Sequence, residues 1–126
     1  MNAYLVSVED RPGVMAQLFG AAAARGVNVF PAFGLSDGTR GIIALGSDDE
    51  AGLQAAIADA GYSATAVEMF VTELDNRPGT GADLTRKLVD AGVDLRVAVP
   101  IGMSGDKVQL ALGCSDPALL KATLGL

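Results

Sequence analysis

The sequence Glu-Asp-Arg-Pro-Gly-Val-Met-Ala-Gln-Leu occupies residues 9–18, and Asp-Asn-Arg-Pro-Gly-Thr-Gly-Ala-Asp-Leu occupies residues 75–84, 66 positions later. The match continues at the same offset, where Arg-Gly-Val-Asn-Val at 25–29 corresponds to Ala-Gly-Val-Asp-Leu at 91–95. Self-similarity at a fixed spacing indicates a repeated structural unit. We therefore predict two copies of one unit, residues 1–68 and 69–126.

Each copy has the pattern strand, helix, strand, strand, helix. In the first copy, a short β-rich segment precedes the Pro-Gly turn, and apolar residues then recur at helical spacing up to Gly26. We place Pro12 in the first helical turn, where a missing N–H costs little. Residues 27–35 are predicted to form a strand, with Pro31 indicating a sheet edge or a bulge. A hairpin turn at 36–39, a strand and a second helix that starts at Asp48, Asp49 and Glu50 follow.

The segment between the two copies is short. Thirteen residues, 62–74, separate the end of the second helix from the second Pro-Gly turn, and they contain neither Gly nor Pro. We expect one continuous strand here that serves both halves. The second copy stops at Leu126 after its last predicted helix, before any closing strand.

Composition and charge exclude several function classes. The chain has no His and one Cys, which excludes Ser-His-Asp triads, Cys-His pairs, His-bearing zinc sites and disulfides within the chain. The net charge is −6 and the nine cations are scattered, so we expect no nucleic-acid partner. No apolar run approaches the ~20 residues that a membrane span needs. These features predict a soluble, cytoplasmic protein with no membrane partner.

This order of elements, with Asp/Asn-Arg-Pro-Gly before a helix and Gly-Val-Asn/Asp after it, resembles the ACT domain family over the whole chain. The resemblance implies an α+β fold of two ferredoxin-like βαββαβ (ACT) units in tandem. The sheets would be antiparallel with helices on one face, and the second unit would lack its own last strand. It also implies a non-catalytic regulatory or sensor protein without a cofactor, which binds an amino acid or related carboxylate and regulates an enzyme.

The start of each first helix is a chemically plausible ligand site. About four N–H groups at a helix N-terminus lack intrahelical partners, and the helix dipole favours an anion there. A glycine in the loop removes the Cβ that would hinder a close approach. Carried over from the family residue by residue, the first site consists of Asp10, Arg11, Pro12, Gly13, Val14, Asn28 and Val29, and the second of Asn76, Arg77, Pro78, Gly79, Thr80, Asp94 and Leu95. The first is the stronger candidate because position 81 is Gly, which weakens the second helix start by ~1 kcal/mol.

Other interpretations of these features remain open. Repetition also preserves purely structural turns, so the chain could be a dimerisation or protein-interaction module without a ligand. An enzyme of the acylphosphatase type is a weaker alternative, because its characteristic loop sequence is missing. The segment 79–84 matches a dinucleotide fingerprint only in part. We interpret Cys114 as a small buried residue, residues 48–50 as a helix cap rather than a metal site, and Phe30 and Phe33 as core or interface.

The size of each half favours association. A ~63-residue unit buries only ~60% of the surface of its unfolded chain and is marginally stable alone. We therefore expect the two halves to share a core and the chain to form a homodimer.

Overall fold

The chain repeats one succession of strands and helices. A computed structural model describes all residues, Met1–Leu126, and divides into two compact units, Met1–Ala66 and Val67–Leu126. The predicted α+β class is confirmed, and all of the strand pairs described below are antiparallel. The elements are β1 (Asn2–Glu9), α1 (Val14–Ala24), β2 (Ala32–Ser36), β3 (Arg40–Leu45), α2 (Glu50–Asp59), β4 (Thr65–Asp75), α3 (Thr80–Asp90), β5 (Leu95–Ser104), β6 (Lys107–Cys114) and α4 (Pro117–Thr123).

In the first unit, β3 lies between β1 and β2. Side chains alternate between the two faces of a strand, so every second residue of β1 and β3 contributes to one core. Val6 and Ile43 are register partners in this core, and Leu18 of α1 and Leu53 of α2 pack against them. Both helices therefore cover the same face of the sheet, as predicted.

In the second unit, β6 lies between β4 and β5. Leu112 and Cys114 of β6 belong to a core that also contains Leu88 of α3 and Leu120 of α4. The helices again share one face of their sheet. Cys114 is buried, as the sequence predicted.

Several local predictions are confirmed. The segment between the repeats forms a single strand, β4, of 11 residues. The β2–β3 hairpin turns at 37–39, where the Asp37 carboxylate accepts hydrogen bonds from the N–H groups of Thr39 and Arg40. Asp49 is the N-cap of α2 and accepts from Gly52 N at 2.9 Å.

No helix of the protein is both long and apolar enough to cross a membrane.

The predicted strand at 27–35 is wrong in its first half, because β2 begins only at Ala32. Residues 27 and 28 serve the neighbouring helices instead: Val27 N donates to Ala22 O at the end of α1, and Asn28 O accepts from the Ser47 hydroxyl just before α2. Phe30 lies outside the core, with 58% of its surface exposed, and Phe33 is also exposed.

Pro12 does not lie in the first helical turn. Helix α1 begins at Val14, and Gly13 is its N-cap in a left-handed conformation with φ of 94°. The sequence pattern located the turn correctly but placed the helix start too early. Gly13 therefore has a conformational role as well as leaving space.

The cap of α2 provides a test of the fold. We expect Asp49→Ala to lower the free energy of unfolding by about 1 kcal/mol, because Gly52 N loses its acceptor. The control is Asp48→Ala, which removes the same charge from an exposed neighbour that caps nothing and should change stability by less than about 0.5 kcal/mol. Urea unfolding measures both, and equal losses would contradict the assigned cap.

Candidate functional site

The first candidate loop connects β1 to α1. Asp10 N donates to Thr39 O at 2.9 Å, which attaches the loop to the β2–β3 hairpin. Asp10, Arg11 and Pro12 are exposed, whereas Val14 is buried. The loop thus presents polar groups to solvent directly in front of the first turn of α1.

The four helices begin in two different ways. The carboxylates of Asp49 and Asp116 cap α2 and α4, and each accepts a hydrogen bond from a backbone N–H. Helices α1 and α3 begin instead at glycines with φ of 94°, Gly13 and Gly79, and no side chain caps them. The first N–H groups of a helix have no intrahelical partners, so these two helix starts keep donors that a ligand can use.

A cleft of about 200 Å³ lies at the start of α1. Four of the seven residues predicted for the first site line it: Asp10, Arg11, Gly13 and Val14. The other walls come from Val8 and Glu9 of β1, Met15 of α1, and residues of the β2–β3 hairpin, including Ser36, Gly41 and Ile43. None of these additional residues was predicted from the sequence as part of the site.

Pro12, Asn28 and Val29 do not line this cleft. Pro12 lies within the same loop. Asn28 lines a separate cavity of about 390 Å³, together with Met1, Gly26, Phe30 and residues 47–49. Val29 packs against the core of the first unit. In this chain, the two predicted halves of the first site therefore lie at different cavities.

The Arg11 side chain is connected to α1 by a chain of two hydrogen bonds through Tyr62. Arg11 Nη2 donates to Tyr62 Oη at 2.9 Å, and the Tyr62 hydroxyl donates to Gln17 Oε1 at 3.1 Å. A guanidinium group carries five N–H donors, so this single bond leaves others free. Sequence reasoning had not identified Tyr62 or Gln17, because 51 and 6 residues, respectively, separate them from Arg11.

The second candidate loop, Asn76–Thr80, also leads into its helix through a left-handed glycine, and a hydrogen bond from its own side chain stabilises it. Asn76 N donates to Asp106 O at 2.6 Å, and Thr80 Oγ1 donates to Asp75 O at 2.8 Å. Among the predicted residues, Thr80 alone lines the adjacent cavity of about 390 Å³. Those that do not line it are Asn76, Arg77, Pro78, Gly79, Asp94 and Leu95.

Two lysines, Lys87 and Lys107, line the second cavity, and Lys107 is paired with an acid. Asp75 contacts Lys107, and its carboxylate lies 3.7 Å from Arg77 Nε. The hydrogen bond that Lys107 donates to the Asp75 carboxylate lowers the pKa of Asp75 and raises the pKa of Lys107. Asp83 adds a negative charge to the first turn of α3, whereas the first turn of α1 has no acidic residue. The first turn of α1 therefore offers an anion a better environment than the first turn of α3.

Comparison with known proteins gives structural neighbours only. No protein-family model and no curated protein matches the sequence. Protein BT0572 from Bacteroides thetaiotaomicron superimposes with a TM-score of 0.79 at 14% identity, over 98% of this chain and 85% of that chain. The regulatory subunit of aspartate kinase from Thermus thermophilus, in its ligand-free form, gives a TM-score of 0.66 at 16% identity, over 98% and 87% of the two chains.

The corresponding subunit from Thermus flavus gives a TM-score of 0.65 at 19% identity, over 97% of this chain and 88% of that chain. The chain has an ACT-type fold. The resemblance noted in the sequence is thus supported by proteins of similar length. At these levels of identity the comparison establishes the fold, and the ligand has to be argued from the loop itself.

Gly13, the N-cap of α1, and Gly20, within α1, allow conformational strain to be tested separately from steric clash. A Cβ added to Gly13 or to Gly20 would meet no atom within 4 Å. Gly13→Ala should destabilise the protein by about 1–2 kcal/mol, because φ is positive at that residue. Gly20→Ala should stabilise it by about 0.5–1 kcal/mol, because Gly20 lies within the helix. Chemical denaturation checks both, and effects of the same sign would contradict the left-handed cap.

Proposed function

We propose that the protein is a non-catalytic regulatory protein that binds an amino acid, or a related small carboxylate, at the loop between β1 and α1. The observation that carries this proposal is the start of α1, which has no side-chain cap and opens into a small cleft beside Arg11. A carboxylate is the ligand group that such a helix start stabilises. The nearby acids Glu9 and Asp10 suit an ammonium group in the same ligand.

The proposed site has a division of roles. The N–H groups that follow Gly13 and the guanidinium of Arg11 bind the ligand carboxylate, and Asp10 accepts from its ammonium group. Pro12 holds the loop, and Val14 forms the floor of the cleft. Asn28 and Val29 remain sequence-based predictions, since the structure gives them no place at this cleft. The second loop, with Asp94 and Leu95, remains a predicted site, although Asp83 in the first turn of α3 argues against an anion there.

A regulatory rather than catalytic role is supported by both sequence and neighbours. The chain lacks His, and its one thiol, Cys114, is buried. Two structural neighbours are regulatory subunits of aspartate kinase. We propose that this protein likewise acts on an enzyme, and that the enzyme senses the bound ligand through it. A cytoplasmic location stays a prediction from the sequence.

A homodimer is the second part of the proposal. All five residues of β2 are exposed, and β2 pairs only with β3. Leu35 and its register partner Ile42 are 69% and 49% exposed. Exposed apolar side chains on a free strand edge are typical of an interface. The same surface supports the alternative function, a dimerisation module without a ligand.

Calorimetric titration with the common amino acids and with their carboxamides tests the proposed ligand chemistry. We expect at least one amino acid to bind and its carboxamide to bind much more weakly, because the amide lacks the anionic group. The variant Gln17→Asp, which gives α1 the acidic residue that Asp83 gives α3, should weaken binding by roughly tenfold through like-charge repulsion.

The matched control is Ala51→Asp, which adds the same charge to an exposed position in the first turn of α2. It should leave the affinity unchanged. Equal losses in both variants would contradict a site at the first loop. A folded dimer that binds no amino acid in the panel would contradict the proposed function and favour the dimerisation module.

A further inference from the structure

The cleft at the first loop is lined by two chemically different sets of residues. Its charged side chains come from three consecutive residues, 9–11. The side chains of Val8, Val14, Met15, Leu35 and Ile43 also line it, and none of them carries a polar group. A ligand whose carboxylate and ammonium groups bind at residues 9–14 therefore has apolar side chains available for its own side chain.

Gly34 on the hairpin has no side chain, and this leaves space beside the apolar residues of the cleft. Gly34 and Ile43 are register partners on the face of the sheet that α1 covers. A Cβ added to Gly34 would lie 3.6 Å from Met15 Sδ and 3.9 Å from Ile43 Cγ1. The space beside Gly34 is thus bounded by a thioether and a hydrocarbon branch, and the absent side chain of Gly34 leaves it open.

The polar groups close to these apolar residues are uncharged. Ser36 Oγ accepts from Gly38 N at 3.0 Å, and Gln17 accepts from Tyr62. The one cation of the hairpin, Arg40, donates to Ser7 Oγ at 3.2 Å and does not line the cleft. A charged ligand side chain that packs against the apolar residues would find no counterion among them and would lose its hydration there.

We infer, on the basis of the proposed function, that the ligand is an α-amino acid with an uncharged aliphatic side chain, which packs against Met15 and Ile43 beside Gly34. The cleft volume of about 200 Å³ lies below the roughly 300–1,000 Å³ typical of pockets for drug-sized molecules. It suits a side chain of the size of valine or leucine. Burial of such a side chain raises affinity over glycine by roughly 10- to 100-fold.

Calorimetry with glycine, valine, leucine, lysine and aspartate tests the inference. Wild-type protein should bind leucine or valine at least about tenfold more tightly than glycine, and more tightly than lysine or aspartate. Gly34→Val fills the open space from a strand position without positive φ, so it should weaken the binding of leucine more than the binding of glycine. Met15→Gln should reduce the ratio of the leucine affinity to the glycine affinity by up to about fourfold for each methylene that loses its apolar contact.

The control variant is Met103→Gln, the same exchange at an exposed methionine of the second unit, which should leave all affinities unchanged. Met15 is 41% exposed, so Met15→Gln keeps the test valid should Gly34→Val fail to fold. The inference is overturned if lysine or aspartate binds as tightly as leucine, or if Met15→Gln leaves the leucine-to-glycine ratio unchanged. Such results would leave the proposed function standing, whereas failure of all five amino acids to bind would count against both.

Discussion

The positive φ of the glycine that begins α1 is the constraint on which the proposed site depends. Gly13 turns the chain sharply between β1 and α1, and it provides no side chain to cap the helix. The same turn recurs at Gly79, whereas the two remaining helices are capped by aspartates. One backbone conformation thus positions the loop, leaves helix N–H donors free and forms one wall of the cleft.

The two copies differ in what surrounds this shared turn. In the first unit, Gln17 is neutral and takes part in a hydrogen-bonded chain with Tyr62 and Arg11. In the second, the equivalent position is Asp83, and Asp75 binds Lys107. The duplication therefore preserved the backbone and changed the electrostatics. Of the two helix starts, that of α1 has no acidic residue in its first turn and therefore has the stronger attraction for an anion.

Much of this architecture was predictable from the sequence because the repeat supplied each element twice. The order of the elements, the hairpin, the cap at Asp49 and the single strand β4 all follow from local signals. The walls formed by Met15, Ile43 and Gly34 were not predictable, because they depend on the pairing of β2 with β3 and on which face each side chain takes. The strand β2 also begins only at Ala32, so the first half of the predicted strand takes no part in that pairing.

In the proposed complex, the free N–H groups of α1 hold the carboxylate of an amino acid. Amide NMR during a titration with leucine detects this contact, since hydrogen-bonded N–H groups shift strongly. We expect the largest changes at the amides of residues 14–16, with much smaller changes at the equivalent residues 80–82. Changes centred on the second loop, or at Asn28 without any at residues 14–16, would contradict it.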